Sequence, residues 1–432
     1  MEGTRGAHPL KRPSSQCRNP DNGRGRRLDV CVVLRVRLLS AIAAVSLPVV
    51  LASCGGPGAD ASNPDSTDSS AAKSSPGGTL PVGPSALLSP SHPDLPAPLV
   101  DPGDLLPGGP PPDGIPAIDE PVFVAVDDAD LWLDDREAVA YLELGGEVHA
   151  YPVQILIWHE IVNDEVGGTP VSVTYCPLCN SAVSYRRVVD GIVTTFGTSG
   201  RLYASALVMY DRATESLWTH FDGRAVAGVL TGHVLEPIPS PLLAWADFKA
   251  AFPEGVVLDR DTTGYVRPYG DNPYGGYDKP DTFPFLFRGD VDGRARAKQR
   301  VVGVVVGDVA RAWTLEAISG GSALATNATV GDAPVAIFWK AGQVSALDTG
   351  IPGEGSDVGS VGVFSPVVGD RVLTFTSSGE VFRDQQTGTT WDITGSALAG
   401  PLAGSDLEQI HHFDTFWFAW STYQPGTDLV DA

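Results

Sequence analysis

One pattern of tryptophan, glycine and aliphatic residues occurs twice in this chain, and it constrains the fold more than any other feature. The first copy spans residues 218–238 and the second spans residues 391–410. From the first glycine of each copy, Gly223 and Gly395, the spacing of the later glycine, leucine and isoleucine positions is identical. A recurring pattern of this kind predicts a chain built from repeated structural units.

The correspondence between the two copies extends upstream. Two further pairs of segments align, residues 170–175 with 334–339 and residues 139–144 with 301–306. We therefore expect two similar halves from an internal duplication, the first repeat at 118–255 and the second at 300–428. Residues 256–299, rich in proline, glycine and aromatic residues, would connect them, either as a loop over a cleft or as a linker packed on the sheets.

The composition of the two halves is typical of a mainly β fold. Apolar stretches are short, rich in valine and separated by glycine and proline, which favours strands joined by turns. Only three short segments have a helical pattern, namely residues 154–162, 242–252 and 414–423. We therefore predict a β-rich structure with a few short helices.

Two cysteines lie on a tight turn between two predicted strands. Residues 171–175 alternate between apolar and polar side chains, as a half-buried strand does, and a second strand follows at 182–185. Between them, Cys176-Pro-Leu-Cys179 would direct both sulfurs to one side. This spacing occurs in metal knuckles and in redox dithiols, so the turn predicts one of these two chemistries.

The most promising additional ligands lie just upstream, at Trp158-His159-Glu160. We predict a metal site formed by Cys176, Cys179 and His159, with Glu160 as a fourth ligand, a partner of the imidazole or a general base. Two thiolates and an imidazole suit zinc, copper or iron. Neighbouring residues on a helix point about 100° apart, so ligation by both His159 and Glu160 would be awkward.

The repeat gives an independent reason to expect that the cysteines react or bind a metal rather than stabilise the turn. In the alignment of the halves, Lys340 lies opposite Cys176 and Gln343 lies opposite Cys179. The turn therefore forms without thiols. His220 also has no histidine opposite it, so it is either a site residue or an exposed polar position, and we expect the exposed position.

The N-terminal residues resemble an export signal. Arg35 and Arg37 precede an apolar stretch at 38–51, which ends in Leu-Ala-Ser-Cys54. A basic start, a short apolar core and small residues predict a secretory signal, and Cys54 resembles the acylated cysteine of a bacterial lipoprotein box. We assign residues 1–54 to the signal and this box, which would anchor the protein by its lipid to the extracytoplasmic face of the cell membrane.

Residues 55–117 are rich in proline, glycine, serine and alanine, a composition that predicts a disordered tether. Residues 1–53 hold 9 of the 29 Lys and Arg and 3 of the 52 Asp and Glu, so the remainder has a formal net charge of −29. Such a charge repels nucleic acid, so no nucleic-acid partner is expected. After export only Cys176 and Cys179 would remain free, which excludes a disulfide framework.

Several motifs together resemble a bacterial family known only as domain of unknown function 3179. They span essentially the whole predicted fold and are WHEIVND at 158–164, VTYCPLCNS at 173–181, FGTSG at 196–200, LVMYDR at 207–212 and FWFAW at 416–420. The resemblance implies a β-rich fold but no activity.

Three functions therefore remain open from the sequence. The first is a lipid-anchored protein with a Cys/His metal site, for redox chemistry or metal handling. The second is a thiol–disulfide oxidoreductase acting through Cys176 and Cys179. The third is a non-enzymatic protein that binds or organises other components of the cell envelope.

Overall fold

The valine-rich stretches form short strands that pair mostly antiparallel. A computed structural model describes residues 79–321 and 323–432; the predicted signal, Cys54 and the first part of the predicted tether lie outside these residues. The strands up to residue 258 are β1 (Leu106–Pro107), β2 (Phe123–Ala125), β3 (Ala138–Leu144), β4 (Glu147–Pro152), β5 (Ile161–Val166), β6 (Thr169–Cys176), β7 (Ser181–Arg186), β8 (Val188–Val189), β9 (Ile192–Val193), β10 (Phe196–Tyr203), β11 (Ala206–Asp211), β12 (Leu217–Thr219), β13 (Ala225–Ala227), β14 (Pro237–Ile238), β15 (Leu242–Ala244) and β16 (Val256–Leu258).

The strands after residue 299 are also short and follow one another through turns, as those of the first part do. They are β17 (Arg300–Val306), β18 (Val309–Thr314), β19 (Ala323–Val330), β20 (Ala333–Lys340), β21 (Ser360–Phe364), β22 (Val367–Val368), β23 (Arg371–Val372), β24 (Phe375–Ser378), β25 (Val381–Asp384), β26 (Thr390–Trp391), β27 (Ala397–Ala399), β28 (His412–Phe416) and β29 (Asp428–Val430). The prediction of a mainly β fold is confirmed.

The helices are few and short. They are α1 (Val126–Ala129), α2 (Val153–His159), α3 (Trp245–Ala251), α4 (Leu315–Ile318) and α5 (Trp417–Tyr423), with two 3₁₀ turns at Pro102–Asp104 and Pro352–Glu354. The three predicted helical segments contain most of α2, all of α3 and all of α5. Within the described residues, no helix combines the length and the apolar character needed to cross a bilayer.

Three sheets of the first part have counterparts in the second. The first sheet has the strand order β15-β3-β4-β16-β2, and its counterpart is β28-β17-β18-β29. The second has the order β14-β7-β6-β5, and its counterpart is β19-β20-β21. The third has the order β1-β10-β11-β12-β13, and its counterpart is β24-β25-β26-β27. The hairpin β8-β9 likewise compares with β22-β23. The cysteine turn joins β6 to β7, at the end of the second of these sheets.

Buried polar contacts recur at corresponding positions of the two parts. Asn163 bonds the backbone N–H and carbonyl of Phe196, and Asn327 does the same with Phe375. The indole N–H of Trp391 donates to Asp384 at 3.1 Å, as the corresponding indole in the first part does to its aspartate at 3.0 Å. These matched contacts support the duplication, which remains a prediction.

One apolar cluster contains side chains from both parts. Cys176 and Cys179 belong to it, together with Phe416 and Trp417 from the second part, and all four are almost fully buried. The cysteine turn therefore lies in the main core rather than on the surface.

Residues 79–117, which we call the strap, differ from the predicted tether because they pack on the first part. Ala86 and Leu105 are buried, and β1 pairs with β10. The reason is that leucine and alanine side chains between the prolines bury apolar surface against β11 and β13. The strap thereby reaches the candidate site.

Candidate functional site

The cysteine turn forms where the ladder between β6 and β7 ends. Cys176 pairs with Ser181 as the last rung of that ladder, and Pro177 to Asn180 form the connection. Asn180 has a left-handed backbone (φ +50°), which asparagine tolerates better than most residues, and its side-chain oxygen accepts a hydrogen bond from the Tyr175 hydroxyl at 3.2 Å. The predicted strand–turn–strand arrangement is present.

The second part of the chain holds this turn in place. Thr415 Oγ1 donates a hydrogen bond to the carbonyl of Cys179 at 2.7 Å, and the backbone N–H of Phe416 donates to the same oxygen at 3.1 Å. Both donors lie on β28, which packs against β7. The position of Cys179 therefore depends on residues more than 230 positions away in the sequence.

Cys176 lies in a set of hydrogen-bond donors. Burial raises the pKa of its thiol, but hydrogen bonds from the Cys179 thiol and from the backbone N–H groups of Leu207, Cys179 and Leu178 outweigh burial, and the net pKa is lowered. Hydrogen bonds to a charged form favour that form. The arrangement therefore stabilises Cys176 as a thiolate.

Cys179 has the opposite character. Burial raises the pKa of its thiol well above the ordinary value, and the adjacent charge on Cys176 raises it further. The two sulfurs thus form an asymmetric pair, in which the pKa of Cys176 is lowered and the pKa of Cys179 is raised. Neither is in a disulfide, and their side chains are at most 1% exposed.

A buried chain of hydrogen bonds begins at Cys179. Its Sγ is 3.0 Å from Ser181 Oγ, which is 2.8 Å from His220 Nε2. On the other side of the imidazole, His220 Nδ1 is 2.8 Å from Thr174 Oγ1, which donates to the carbonyl of Val183 at 2.6 Å.

The donors and acceptors in this series of hydrogen bonds follow from its last member, the Val183 carbonyl. A carbonyl only accepts, so the Thr174 hydroxyl proton is committed to Val183, and His220 must donate from Nδ1. Nε2 then carries the lone pair and accepts from Ser181, whose oxygen keeps a lone pair on the side of the Cys179 sulfur. Burial lowers the pKa of His220 to about 3, so the imidazole stays neutral and orients Ser181.

The expectation of an exposed His220 is wrong, because this side chain is fully buried beneath the cysteine turn. The sequence did contain a signal, since the position opposite His220 in the second half carries no histidine. A polar residue present only in the half that carries the thiols points to a role beside them.

His159 has other partners in the structure. Its Nδ1 donates to the carbonyl of Pro116 in the strap at 2.8 Å, and its Nε2 accepts from the Tyr269 hydroxyl at 2.5 Å. Burial lowers the pKa of this imidazole to about 4. Both nitrogens are therefore engaged, and ligation of a metal through Nε2 would require displacement of Tyr269.

Glu160 is separated from His159 by a reversal of the backbone. It caps α2 with a left-handed conformation (φ +58°), and its carbonyl accepts from Tyr175 N at 2.9 Å. Its side chain is 7% exposed. Burial raises the pKa of the Glu160 carboxyl well above its ordinary value, and the charge on Cys176 adds to this.

A cavity of about 480 Å³ adjoins the cysteine turn. Its walls are largely apolar and come from the strap, the β10–β11 hairpin, the cysteine turn and the connecting segment: Gly108, Pro110, Ile115, Glu160, Leu178, Thr198, Gly200, Arg201, Leu202, Leu207, Pro273, Tyr274, Gly275, Gly276, Tyr277 and Phe285. The volume suits a small molecule or a short peptide segment. Part of the aromatic connecting segment thus forms one wall of this cavity.

Within the part of the chain that the structure describes, no group of three or more His, Cys, Asp and Glu side chains is arranged to hold a metal ion. Of the four predicted ligands, Cys176 and Cys179 lie side by side, Glu160 lies close enough to interact with their charges, and His159 is engaged with Pro116 and Tyr269.

Comparison with known families accounts for most of the chain. Residues 112–427 match the family described as "Protein of unknown function (DUF3179)". The chain belongs to this family. No curated protein and no solved structure matches it significantly. The region matched by DUF3179 contains the cysteine turn, Glu160, Ser181 and His220, so the whole candidate site lies within the family domain.

Proposed function

We propose that this protein is a thiol–disulfide oxidoreductase, with Cys176 as the nucleophile and Cys179 as the resolving thiol. The observation that supports this most directly is the asymmetry of the pair. Three backbone N–H groups and the neighbouring thiol stabilise a thiolate on Cys176, whereas Cys179 stays protonated. The thiolate is the reactive form of cysteine, so this arrangement separates the two roles.

The exchange reaction follows from these roles. The Cys176 thiolate attacks one sulfur of a substrate disulfide, a mixed disulfide forms, and the other substrate sulfur leaves as a thiolate. Cys179 then attacks Cys176, loses its proton, and releases the second substrate sulfur. The substrate disulfide is reduced to two thiols, and the protein dithiol is oxidised to a Cys176–Cys179 disulfide.

The absence of a helix at these thiols is compatible with this chemistry. In many redox dithiols a helix N-terminus lowers the nucleophile's pKa. Here the turn itself supplies two N–H donors, and Leu207 on β11 supplies a third. Successive backbone N–H groups of a turn form an anion-binding concavity, which serves the same purpose.

Trapping of the mixed disulfide tests the assignment. The full chain would carry serine at Cys17, Cys31 and Cys54, so that only the two site thiols react. With a dialkyl disulfide, Cys179→Ser should accumulate a mixed disulfide on Cys176, and Cys176→Ser should react at least about tenfold more slowly because its remaining thiol stays protonated. Intact-mass and peptide mass spectrometry measure both results.

The parent protein, with both thiols, should instead form the internal disulfide without accumulating an adduct. Trapping at Cys179 rather than Cys176, or failure of the parent to link the two cysteines, contradicts the proposal.

A metal site on the same thiols is the second candidate. The specific observation in its favour is that the two thiols lie side by side, and that Glu160 is close enough to affect the pKa of Cys179 and to be affected by Cys176. Soft sulfur ligands suit zinc, copper(I) or iron. Reconstitution under reducing conditions should then bind about one equivalent of metal, lost in the Cys176→Ser, Cys179→Ser double variant. Equal binding by the double variant contradicts this candidate.

We also infer that the protein acts at the extracytoplasmic face of the cell membrane, anchored through Cys54. The support is the apolar segment at 38–51 followed by Leu-Ala-Ser-Cys54. Disulfide chemistry fits an exported setting. Replacement of Cys54 by serine should move the protein from the membrane to the soluble fraction, and retention of the variant at the membrane contradicts the inference.

A further inference from the structure

Two polar groups in the lining of the 480 Å³ cavity have no hydrogen-bond partner among the described residues. They are the Tyr274 hydroxyl and the Glu160 carboxyl. Their oxygen atoms are not sealed in the packed interior, unlike other unpartnered polar atoms of the fold. A few placed polar groups within an apolar wall are typical of a small-molecule site, because they fix the orientation of the ligand.

The other polar side chains of the lining are already engaged. Thr198 and Arg201 donate hydrogen bonds to backbone carbonyls of the strap. The Tyr277 hydroxyl accepts from a backbone N–H of the connecting segment at 3.2 Å. A ligand in this cavity would therefore find the free hydrogen-bonding groups at Tyr274 and Glu160.

Tyr274 and Glu160 lie close together without bonding to each other. Burial raises the pKa of the Tyr274 phenol, and the charge of the nearby Glu160 raises it further. The phenol O–H is a hydrogen-bond donor, and a carboxyl offers an acceptor oxygen whether or not it carries a proton. One hydroxyl group placed between them would accept from Tyr274 and donate to Glu160.

We propose that this cavity binds an uncharged, largely apolar molecule with one hydroxyl group, such as a phenol or an aromatic alcohol, held by Tyr274 and Glu160. This binding goes beyond the proposed function, because it needs neither thiol. The volume of about 480 Å³ is roughly three times that of a cavity that holds benzene, so two fused rings fit. The apolar side chains available to pack on them are Ile115, Leu178, Leu202, Leu207 and Phe285.

Two probes of two fused rings test this site. The hydroxyl of 2-naphthol both donates and accepts, whereas the N–H of indole only donates. Calorimetric titration of the full chain at pH 7 should give one 2-naphthol site with a Kd of about 100 μM or tighter. Indole should bind about tenfold more weakly, because it leaves the Tyr274 hydroxyl unpaired.

Variants of the two polar residues separate their contributions. Tyr274→Phe should weaken 2-naphthol about tenfold and change indole binding less than about twofold. Glu160→Leu should weaken both probes, again by about tenfold. Glu160→Gln keeps an acceptor oxygen, so it should bind both probes nearly as the wild type does, which shows that the role of Glu160 does not depend on its ionisation.

Three controls exclude indirect effects. Tyr265→Phe removes the same hydroxyl from a residue of the connecting segment that is 41% exposed and outside the cavity lining, and it should leave binding unchanged. Ile115→Trp should fill the cavity and abolish binding of both probes. Circular dichroism checks that each variant is folded.

The outcomes decide between a ligand site and a cavity that holds water alone. Binding of neither probe, or equal binding of both with no effect of Tyr274→Phe, overturns the proposal. Retained binding in a folded Ile115→Trp places the probe elsewhere and also overturns it. The Cys176→Ser, Cys179→Ser double variant should bind 2-naphthol as the wild type does, so this site and the thiol chemistry succeed or fail separately.

Discussion

Cys176 and Glu160 show how hydrogen-bond donors shift the pKa of a buried acid. Both side chains are almost fully buried, and burial raises the pKa of each. Three backbone N–H groups and a thiol reverse this effect for Cys176, whereas Glu160 receives no such bond. Hydrogen bonds thus dominate the pKa of one buried acid, and burial dominates the pKa of its neighbour.

The raised pKa of Glu160 predicts a pH-dependent stability. Below its ordinary pKa near 4.5 the carboxyl is protonated in both the folded and the unfolded chain, so it has no effect. Above that pH the unfolded chain releases the proton and the folded chain retains it, so folding stability falls as pH rises. The contribution is at most about 1.4 kcal/mol per pH unit and ends at the folded pKa.

The variant Glu160→Gln should therefore unfold at a higher denaturant concentration than the wild type at pH 8, with a smaller difference at pH 5. Chemical denaturation at several pH values measures this difference. Glu165→Gln, an exposed neighbour on β5, is the matched control and should follow the wild type. A gap between wild type and Glu160→Gln that stays constant across this range would contradict a neutral buried carboxyl.

At the same scale, the sequence placed the two thiols on one turn between strands but did not indicate their hydrogen-bond partners. The C-x-x-C spacing and the alternating strand are local patterns, so both could be recognised. The contacts of Ser181 with His220 and of His159 with Pro116 join residues 39 and 43 positions apart, and they depend on tertiary packing. Contacts of this kind leave no local pattern in the sequence.

Among the structural elements, β28 determines how rigid the cysteine turn is. Thr415 and Phe416 both donate to the Cys179 carbonyl, so the turn is bonded from outside as well as by its own ladder. The strand–turn–strand arrangement was predictable because apolar and polar residues alternate along the first strand. Its support by β28 was not, because a hydrogen bond across 236 positions leaves no local pattern.

The variant Thr415→Val should loosen this turn. It removes one donor to Cys179 with little change of shape, and the free energy of unfolding should fall by about 0.5–1.5 kcal/mol. Backbone amides of residues 178–180 should exchange roughly fivefold faster when opening of the turn becomes easier by about 1 kcal/mol. Hydrogen exchange with mass spectrometry measures this locally.

Thr314→Val is a matched control for this change. Thr314 is equally buried in the neighbouring part of the same sheet, and its hydroxyl donates to Asp431 at 2.9 Å rather than to the turn. This variant should lose similar stability and leave exchange at residues 178–180 unchanged. Faster exchange in both variants would mean that the turn responds to overall stability and not to β28.

For the whole molecule, the class of fold was predictable and the extent of the folded part was not. Many short valine-rich stretches predict strands because each one can be recognised alone. The sequence of the strap predicts a tether because its proline and glycine content resembles that of disordered chains. A few apolar side chains, Ala86 and Leu105 among them, suffice to dock it on the first part, where it forms one wall of the cavity.

The net charge of the molecule should determine which disulfides reach that cavity. The chain after residue 53 has a formal net charge of −29, whereas the described lining of the cavity includes Arg201 and Glu160, and burial raises the pKa of the Glu160 carboxyl. The long-range field therefore opposes the approach of anions and favours cations. Three disulfides of similar size separate these effects, namely cationic cystamine, neutral hydroxyethyl disulfide and anionic dithiodipropionate.

At about 10 mM ionic strength the Debye length is about 30 Å, and we expect second-order rates at Cys176 in the order cystamine, hydroxyethyl disulfide, dithiodipropionate. The ratio of the first rate to the last should be about tenfold or more at low salt. It should fall as salt is added and level off near 1 M, where the Debye length is about 3 Å, at the ratio set by the different leaving thiols. The neutral reagent should be insensitive to salt. If dithiodipropionate reacts fastest at low salt, the local field of Arg201 dominates over the net charge, and the substrates would then carry a carboxylate beside the disulfide.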